Sequence, residues 1–361
     1  MKKHQVSKVI LFSWDFYPSN LVSSKRASYW AKNLKKYLPK NLYLSVITFN
    51  NQAIKLDGFD DLIILKKSLN NITGKIHNAI KLLEYLINEK SPSVIVLSAG
   101  PFYFLMISSL IPKRHRLIWD LRDPFVSDSK NKIGFFKLFL KMSYQKWFIK
   151  KADGIISINE FLLRSYCPDK RTPTICIPNG VESVAGLICN SNKKIIVLGK
   201  VYEDLTILLK KIIASDPQIE IHQYIDMNKT PKNNLLPQLE RVFIHKSLQP
   251  DQINSTSKEF GIGLISSYPE DFVLPVKIFD YINLNQKLII INDKNSPNTE
   301  IKRLVKDYEN VFFIYNNFFN QLEFTKFINQ QHNKERFELP QAYYREFSTK
   351  SLANFIKSKF L

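Results

Sequence analysis

Twelve short apolar runs recur along the 361-residue chain, and the segments between most of them place apolar residues at helical spacing. Most runs are continuously apolar rather than alternating, as in parallel strands covered on both faces. Strands that alternate with helices form βαβ units, so the sequence predicts an α/β protein. The runs are residues 8–14, 42–49, 93–99, 116–121, 154–159, 174–178, 194–199, 220–226, 242–246, 261–266, 287–292 and 311–315. Helices are predicted around residues 27–38 and at 72–88, 135–150, 204–213, 276–283 and 299–305.

The runs form two series of six, which predicts two Rossmann-like domains, and the chain length suits two domains as well. We place an N-terminal domain at residues 1–185 and a C-terminal domain at residues 186–340. Residues 341–361 are predicted to form an amphipathic helix that packs back on the N-terminal domain. The longest apolar segment, residues 102–111, is shorter than the roughly 20 residues needed to cross a bilayer, so we expect a soluble or peripheral protein.

The positive charge of the chain is concentrated in its first half. Of the formal net charge of +20, residues 1–180 carry +17, with 29 Lys and Arg against 12 Asp and Glu. Such a surplus predicts an anionic partner: phospholipid headgroups, a pyrophosphate-linked acceptor or nucleic acid. The residues predicted to contact acceptor or membrane are Lys25, Arg26, Lys137, Lys141 and Trp147.

Within residues 130–151, lysines alternate with Phe and Trp, a pattern typical of an amphipathic helix that lies on anionic headgroups. The alternative is a helix whose aromatic residues pack on the sheet and whose lysines are merely solvated.

Several motifs are absent from the sequence. It has no phosphate-binding Walker loop, no His-Glu-x-x-His and no Cys-x-x-Cys. It also lacks the Asp-x-Asp that commonly binds the divalent cation of a nucleotide sugar, so no metal and no cofactor is expected. Gly261 and Gly263 lie inside an apolar run and are interpreted as a strand feature rather than a dinucleotide-binding loop.

Charged residues follow the run at residues 116–121. Asp120, Arg122 and Asp123 come at its carboxyl end, and Pro124 ends the strand. Open α/β sheets bind their ligands at this end of the strands, so these three residues are candidates for a ligand-binding site. The alternative is an ion pair that is satisfied within itself at the surface.

A second candidate segment opens the helix predicted at residues 276–283. A helix N-terminus offers unpaired N–H groups and a partial positive charge that suit a diphosphate. Lys277 adds a full positive charge in the first turn, and Asp280 follows one turn later, where it could reach a ribose hydroxyl. The alternative is a capped helix that packs on the sheet with a solvated lysine.

Ordered motifs across both halves resemble the GT-B glycosyltransferases of family 4, in particular the capsule and O-antigen branch. The matching elements are the strand and Pro-containing loop at residues 12–18, the basic helix start at 25–27, Asp-x-Arg-Asp-Pro at 120–124, Ala-Asp-x-Ile-Ile at 152–156, Ile-Pro-Asn-Gly-Val at 177–181 and Leu-Pro-x-Lys-x-Phe-Asp-Tyr at 274–281. This resemblance implies two Rossmann-like domains that face a central cleft.

The resemblance also implies roles for individual residues. Asp120, Arg122 and Asp123 would form the catalytic group. Asp120 or Asp123 would lie near the reacting sugar, with Arg122 positioning the acceptor or a carboxylate. The residues that would bind the donor are Gly199, Lys200, Glu270, Lys277 and Asp280. Asp280 is shorter than the family's glutamate, and Asn285 stands where the family has the glycine that ends this helix.

The function implied is transfer of a sugar, with retention, from a nucleotide sugar to a glycan or undecaprenyl-pyrophosphate-linked acceptor in bacterial surface polysaccharide synthesis. The expected location is cytoplasmic, peripheral at the inner face of the membrane, with no nucleic acid as partner. An inverting GT-B transferase is one alternative and would need a base such as Asp15, Asp120 or Asp123. A non-catalytic basic protein that binds membrane or nucleic acid is the other.

Overall fold

The computed structural model describes residues 5–19, 22–68, 71–98, 102–125, 135–166, 169, 171–182, 192–201, 205–227, 230–232, 235–248, 250–266, 274–292, 299–315, 318–330 and 337–361. The chain divides into two compact units. The first unit comprises Met1–Glu182 together with Gln341–Leu361, and the second comprises Ser183–Pro340.

The first unit is built on a seven-stranded parallel sheet of order β3-β2-β1-β4-β5-β6-β7. Its strands are β1 (Lys8–Phe12), β2 (Tyr43–Thr48), β3 (Asp61–Ile64), β4 (Ser93–Ser98), β5 (Arg116–Leu121), β6 (Gly154–Ser157) and β7 (Thr174–Cys176). Its helices are α1 (Val22–Leu34), α2 (Ile72–Asn88), α3 (Phe135–Ile149), α4 (Glu160–Ser165) and α10 (Arg345–Phe360), with 3₁₀ helices at Phe102–Ser109 and Gln341–Tyr343.

The two faces of this sheet are covered by different helices. On one face, Val9 and Leu11 of β1 belong to a buried cluster that includes residues of α1 and α10. On the other, the ring of Phe12 lies 4.8 Å from that of Phe104 in the first 3₁₀ helix, which packs against both α2 and α3. Both faces are therefore buried, which explains the continuously apolar strands.

The C-terminal helix α10 is part of the first unit. Trp30 of α1 donates a hydrogen bond from Nε1 to Ser348 Oγ (3.3 Å), and the amide of Arg345 donates to the carbonyl of Val181 (2.9 Å). Gly180 lies so close to the Tyr343 carbonyl that a Cβ would overlap it. This contact requires glycine at the turn that precedes the second unit.

The second unit contains a six-stranded parallel sheet of order β10-β9-β8-β11-β12-β13. Its strands are β8 (Lys194–Leu198), β9 (Glu220–Ile225), β10 (Val242–Lys246), β11 (Ile262–Ser266), β12 (Lys287–Asn292) and β13 (Val311–Tyr315). Its helices are α5 (Thr206–Ser215), α6 (Pro250–Ser257), α7 (Lys277–Asn283), α8 (Thr299–Leu304) and α9 (Gln321–Asn329).

All twelve apolar runs contain a strand, so the predicted α/β architecture is confirmed. The apolar segment predicted to be too short for a bilayer contains the 3₁₀ helix Phe102–Ser109. Among the residues that the structure describes, no helix combines the length and the apolar character needed to span a membrane.

Candidate functional site

Four polar residues lie at the carboxyl ends of neighbouring strands in the first unit. Asp15 follows β1, Ser98 ends β4, and Asp120 and Arg122 lie at the end of β5. These strands are adjacent in the order β1-β4-β5, so their carboxyl ends lie side by side. Arg122 donates from Nη2 to Ser98 Oγ and faces Asp120 Oδ2 from Nε at 3.5 Å. Ser98, Asp120 and Arg122 line a small cavity together with Ala27 and Trp30 of α1.

Arg26 lies behind this group and is only 5% exposed. Its Nη2 donates to Asp120 Oδ1 (3.1 Å), and its Nη1 donates to the carbonyls of Ile177 (2.8 Å) and Pro178 (3.1 Å). The guanidinium also stacks on Trp30, 4.2 Å from the ring centroid. Burial lowers the pKa of Arg26 to about 10, although Asp120 opposes this shift, so Arg26 keeps its charge at neutral pH.

The prediction that Arg26 contacts an acceptor or a membrane is therefore wrong. Its position in a basic helix start predicted an exposed side chain. Instead, the side chain points inward, and every hydrogen bond described for it is made within the protein. Lys25, its neighbour, is half-buried on the same helix.

Asp120 is 3% exposed, and its two oxygens face two arginines. A carboxylate engaged on both oxygens is poorly placed to accept a proton from a substrate. The candidate catalytic Asp120 thus belongs to a buried Arg26–Asp120–Arg122 cluster. The alternative interpretation, an ion pair satisfied within itself at the surface, is wrong as well, because the cluster is buried. Arg122, 11% exposed in its side chain, lines the cavity and is the member placed to contact a ligand.

Asp123 does not join this cluster. It is exposed, and its backbone carbonyl accepts a hydrogen bond from the Tyr166 hydroxyl (2.5 Å), while the amide of Phe125 donates to that same hydroxyl (3.0 Å). The structure therefore fixes the backbone of the Asp-Pro turn through Tyr166. The Asp123 carboxylate is left at the surface.

Asp15, which the sequence indicated only as a possible base of an inverting reaction, is a half-buried carboxylate. Burial raises its pKa, while Lys67 and Arg122 act in the opposite direction. Among the described residues, none hydrogen-bonds or ion-pairs with its carboxylate. Lys67 itself lies 4.8 Å from the ring of Trp14. An unpaired carboxylate with a raised pKa at the end of a central strand is a feature of functional sites.

In the second unit, Tyr281 fixes α7 to the end of β8. Its buried hydroxyl accepts from the Leu198 amide (2.9 Å) and donates to the Ile196 carbonyl (3.3 Å). Gly263 in β11 makes room for this ring, since a Cβ there would lie 2.6 Å from it. Gly263 therefore lies in a strand, as predicted, and its lack of a side chain is required by the packing of Tyr281, whereas Gly261 directly precedes β11.

The donor-binding candidates lie around this anchored helix. Lys277 and Asp280 lie in the first turn of α7 with Nζ and Oδ2 3.6 Å apart, and both are half-buried. Gly199 follows β8 with φ +95°, its Cβ direction is open, and Lys200 beyond it is exposed. Glu270 lies outside the described residues.

Asn285, at the position where the glycosyltransferases that the sequence resembles have glycine, has φ +53°. Asn is among the few residues that adopt this left-handed conformation readily, so the departure preserves the turn after α7.

The cationic candidates on α3 lie at the surface of the first unit. Lys137 and Trp147 are exposed and Lys141 is half-buried, whereas Phe148 and Ile149 face the interior. In the described part of the chain, no three His, Cys, Asp or Glu side chains are grouped to hold a metal ion. The expected independence of metal stays a prediction.

No protein-family model matches the chain, and no curated protein matches it. Solved structures do match it over nearly its whole length. Sucrose-phosphate synthase from Thermosynechococcus elongatus is 12% identical, covers 98% of this chain and 99% of its own, and gives a TM-score of 0.69. The fold is of the GT-B type.

Two further matching structures with this fold belong to proteins that are described with different activities. The lipopolysaccharide outer core galactosyltransferase WaaB is 12% identical, with 98% of this chain and 99% of its own covered and a TM-score of 0.58. A Listeria monocytogenes protein described as a UDP-N-acetylglucosamine 2-epimerase is 11% identical, with 99% and 97% covered and a TM-score of 0.61. At this level of identity the likeness establishes the fold, and function has to be argued from the sites.

Proposed function

We propose that the protein is a glycosyltransferase of the family 4 type that transfers a sugar from a nucleotide sugar to a glycan or lipid-linked acceptor in bacterial surface polysaccharide synthesis. The observation that carries the proposal is the hydrogen bonding of Tyr281 to the end of β8. It holds the first turn of α7, with Lys277 and Asp280, beside the strand end at which Gly199 turns the chain.

The donor side combines three kinds of group. Lys277 supplies a positive charge for the diphosphate, and Gly199 leaves open space for a phosphate to approach the backbone. Asp280 can accept a hydrogen bond from a ribose hydroxyl. The present distance of 3.6 Å between Lys277 and Asp280 is longer than a hydrogen bond, so a diphosphate can compete for the lysine.

On the acceptor side, the buried cluster of two arginines and one aspartate carries one excess positive charge. Arg122 brings that charge to the cavity, where it suits a phosphate or a polar sugar group of the acceptor. A pyrophosphate linked to undecaprenol is the acceptor class that fits both this charge and the basic character of the first 180 residues. The proposed location is the inner face of the cytoplasmic membrane.

Retention of the anomeric configuration is proposed on the resemblance to family 4. Inversion is a second candidate, and the unpaired carboxylate of Asp15 favours it. In that reaction the acceptor oxygen bonds to the anomeric carbon as the bond from that carbon to the diphosphate oxygen breaks. The nucleoside diphosphate leaves with the electron pair, and Asp15 takes the proton of the acceptor hydroxyl.

A thermal-shift screen with UDP, GDP, ADP and CMP and their common sugars tests the donor side. Stabilisation by one nucleotide is expected, because a ligand that binds only the folded state raises its stability. The shift should be lost in Lys277→Ala and Asp280→Ala and retained in the control Lys326→Ala, which replaces an exposed lysine of α9. Stabilisation that survives both substitutions would refute this donor site.

Incubation of the nucleotide sugar so identified, with and without acceptor, separates transfer from other reactions of this fold. A transferase forms a product whose anomeric coupling in NMR reports retention or inversion. Conversion of the donor to an epimer without any acceptor would contradict the proposal.

A further inference from the structure

One helix of the first unit has an apolar stripe that nothing in the described chain covers. Four isoleucines of α2 are exposed: Ile72 (76% exposed), Ile76, Ile80 and Ile87. They are four, four and seven residues apart, so they lie along one side of the helix. The same helix buries Ala79, Leu82 and Leu86 against the core. The helix therefore has a second apolar side that the fold does not use.

The neighbouring elements are also apolar at the surface. Phe136 of α3 is 72% exposed, and Phe139 and Leu140 are exposed beside it. Met106 and Leu110, in and just after the 3₁₀ helix Phe102–Ser109, are exposed as well. Isolated exposed apolar residues are ordinary, but a set of this size marks an interaction surface.

These three elements lie on one side of the sheet. The 3₁₀ helix packs against both α2 and α3, and its Phe104 contacts Phe12 on the sheet face opposite Val9 and Leu11, which pack with α1 and α10. We call the outer surface of α2, the 3₁₀ helix and α3 the apolar–basic face.

The charge of this face is nearly all of one sign. Residues 72–88, 102–114 and 135–151 contain nine Lys and Arg and a single acidic residue, Glu84. Lys137 and Lys146 are exposed between the aromatic residues of α3, and Lys75 is exposed between the isoleucines of α2. Lysines, aromatics and isoleucines on one surface are the composition of elements that lie in the headgroup region of anionic bilayers.

Other occupants fit this face less well. A second copy of the chain would bring lysines against lysines, and like charges across an interface oppose association. Lipid headgroups instead supply negative charge at every lysine, while the acyl boundary takes up the isoleucines and Phe136 and Phe139.

We propose that the apolar–basic face docks the protein on an anionic phospholipid bilayer, with α2 and α3 lying in the headgroup region. This inference rests on the proposed membrane location and assigns it to a surface. It shifts the predicted contact away from Arg26, which lies inside the protein, and adds α2, which the sequence did not indicate as a membrane element.

Flotation of the full chain with vesicles of phosphatidylcholine alone, or of phosphatidylcholine with phosphatidylglycerol, tests the proposal. The protein should float with the anionic vesicles only, and less so as salt is raised. The variants Ile76→Glu with Ile80→Glu, and Phe139→Glu, should weaken vesicle binding about tenfold or more, because each removes apolar contact and adds negative charge. The matched control is Ile207→Glu on α5, a 72% exposed isoleucine in the second unit, which should bind as the unchanged chain does.

Thermal melting and the nucleotide thermal shift, measured on the same variants, separate the possible failures. Glutamate favours helix and the replaced residues are exposed, so melting and nucleotide binding should stay unchanged. Unchanged vesicle binding in the α2 and α3 variants would overturn the docking face, whatever the nucleotide result. A different result would also overturn the docking face: the chain does not bind vesicles, and light scattering shows a dimer that Ile76→Glu dissociates. Vesicle binding without any nucleotide shift would instead count against the proposed function.

Discussion

Arg26 of α1 and Asp120 of β5 form a buried ion pair in which Nη2 lies 3.1 Å from Oδ1. The pair joins the first helix to the middle of the sheet, and the hydrogen bonds of Arg26 to the carbonyls of Ile177 and Pro178 extend the connection to the turn after β7. Removal of one partner from such a pair leaves an uncompensated charge in the interior.

Asp120→Asn should therefore lower the free energy of unfolding by about 3–5 kcal/mol, because two arginines then remain without their carboxylate. Urea denaturation followed by circular dichroism measures this change. The control is Arg171→Ala, which removes an ion pair with Asp169 at the surface. Because surface ion pairs contribute little to stability, the urea midpoint of this variant should be unchanged. Equal midpoints for the two variants would contradict a structural role for the buried pair.

Gly263→Ala should disturb the donor side through Tyr281. The new methyl group would lie 2.6 Å from the tyrosine ring, so the ring has to move and the hydrogen bond to the Leu198 amide is lost. We expect weaker nucleotide binding and a lower melting temperature. In Gly199→Ala the Cβ meets open space, and the cost is backbone strain of about 1 kcal/mol at positive φ. A larger loss of melting temperature in Gly199→Ala than in Gly263→Ala would refute this account.

Lys287→Met should destabilise the second unit although it replaces a charged residue with an apolar one. Lys287 is buried, and its Nζ donates to the carbonyls of Phe327 (2.9 Å), Ile328 (3.0 Å) and Gln330 (2.7 Å) at the end of α9. Without the ammonium group these carbonyls lose their charged donor, at a cost of about 3 kcal/mol. The change is measured by the urea midpoint, with the exposed Lys246→Met as control, for which no shift is expected.

The sheets could be predicted from sequence because parallel strands buried on both faces are continuous apolar runs. β3 was missed, since Asp61–Ile64 is a four-residue edge strand that is half-buried and begins with a charge. α4, α6 and α9 were missed as well, and α6 is largely polar, so it lacks the apolar spacing that predicts a helix.

The candidate sites could be predicted only in part. The sequence placed charged residues at the end of β5, but it could not reveal that Arg26, 94 positions before Asp120, occupies one oxygen of that carboxylate. Basic helix starts occur at surfaces and in buried pairs alike, so the burial of Arg26 depends on tertiary packing. Asn285 is the opposite case, because asparagine at a position where the resembled family has glycine still adopts the left-handed conformation, with φ +53°.

Acid should destabilise the second unit through His222. Burial is the main cause that lowers its pKa below the ordinary 6.5, and His245 and Lys194 act in the same direction while Glu220 opposes them. The unfolded chain therefore binds the proton more readily, and the stabilising contribution of neutral His222 is lost as pH falls below about 6.5. Melting temperatures between pH 7.5 and pH 5 should fall less steeply in His222→Gln than in the unchanged chain. Parallel curves would contradict this prediction.

Asp15→Asn should separate stability from activity. Burial raises the pKa of Asp15 above its ordinary value of 3.8, so the folded state holds this proton more tightly than the unfolded chain does. Stability is then lost as pH rises from the ordinary pKa through the raised one, and at neutral pH the buried charge opposes folding. Asparagine removes that charge, so the variant should melt at a higher temperature at pH 7 and at the same temperature as the unchanged chain below pH 3.8.

In an inverting reaction the same substitution should abolish sugar transfer, because no carboxylate remains to take the acceptor proton, while the nucleotide thermal shift persists. The rate of the unchanged enzyme should rise with pH through the raised pKa of Asp15, and Asp123→Asn should retain that profile. Transfer with retention at an undiminished rate in Asp15→Asn would exclude Asp15 as the base. The gain in melting temperature would still be expected, because it depends only on the burial of the charge.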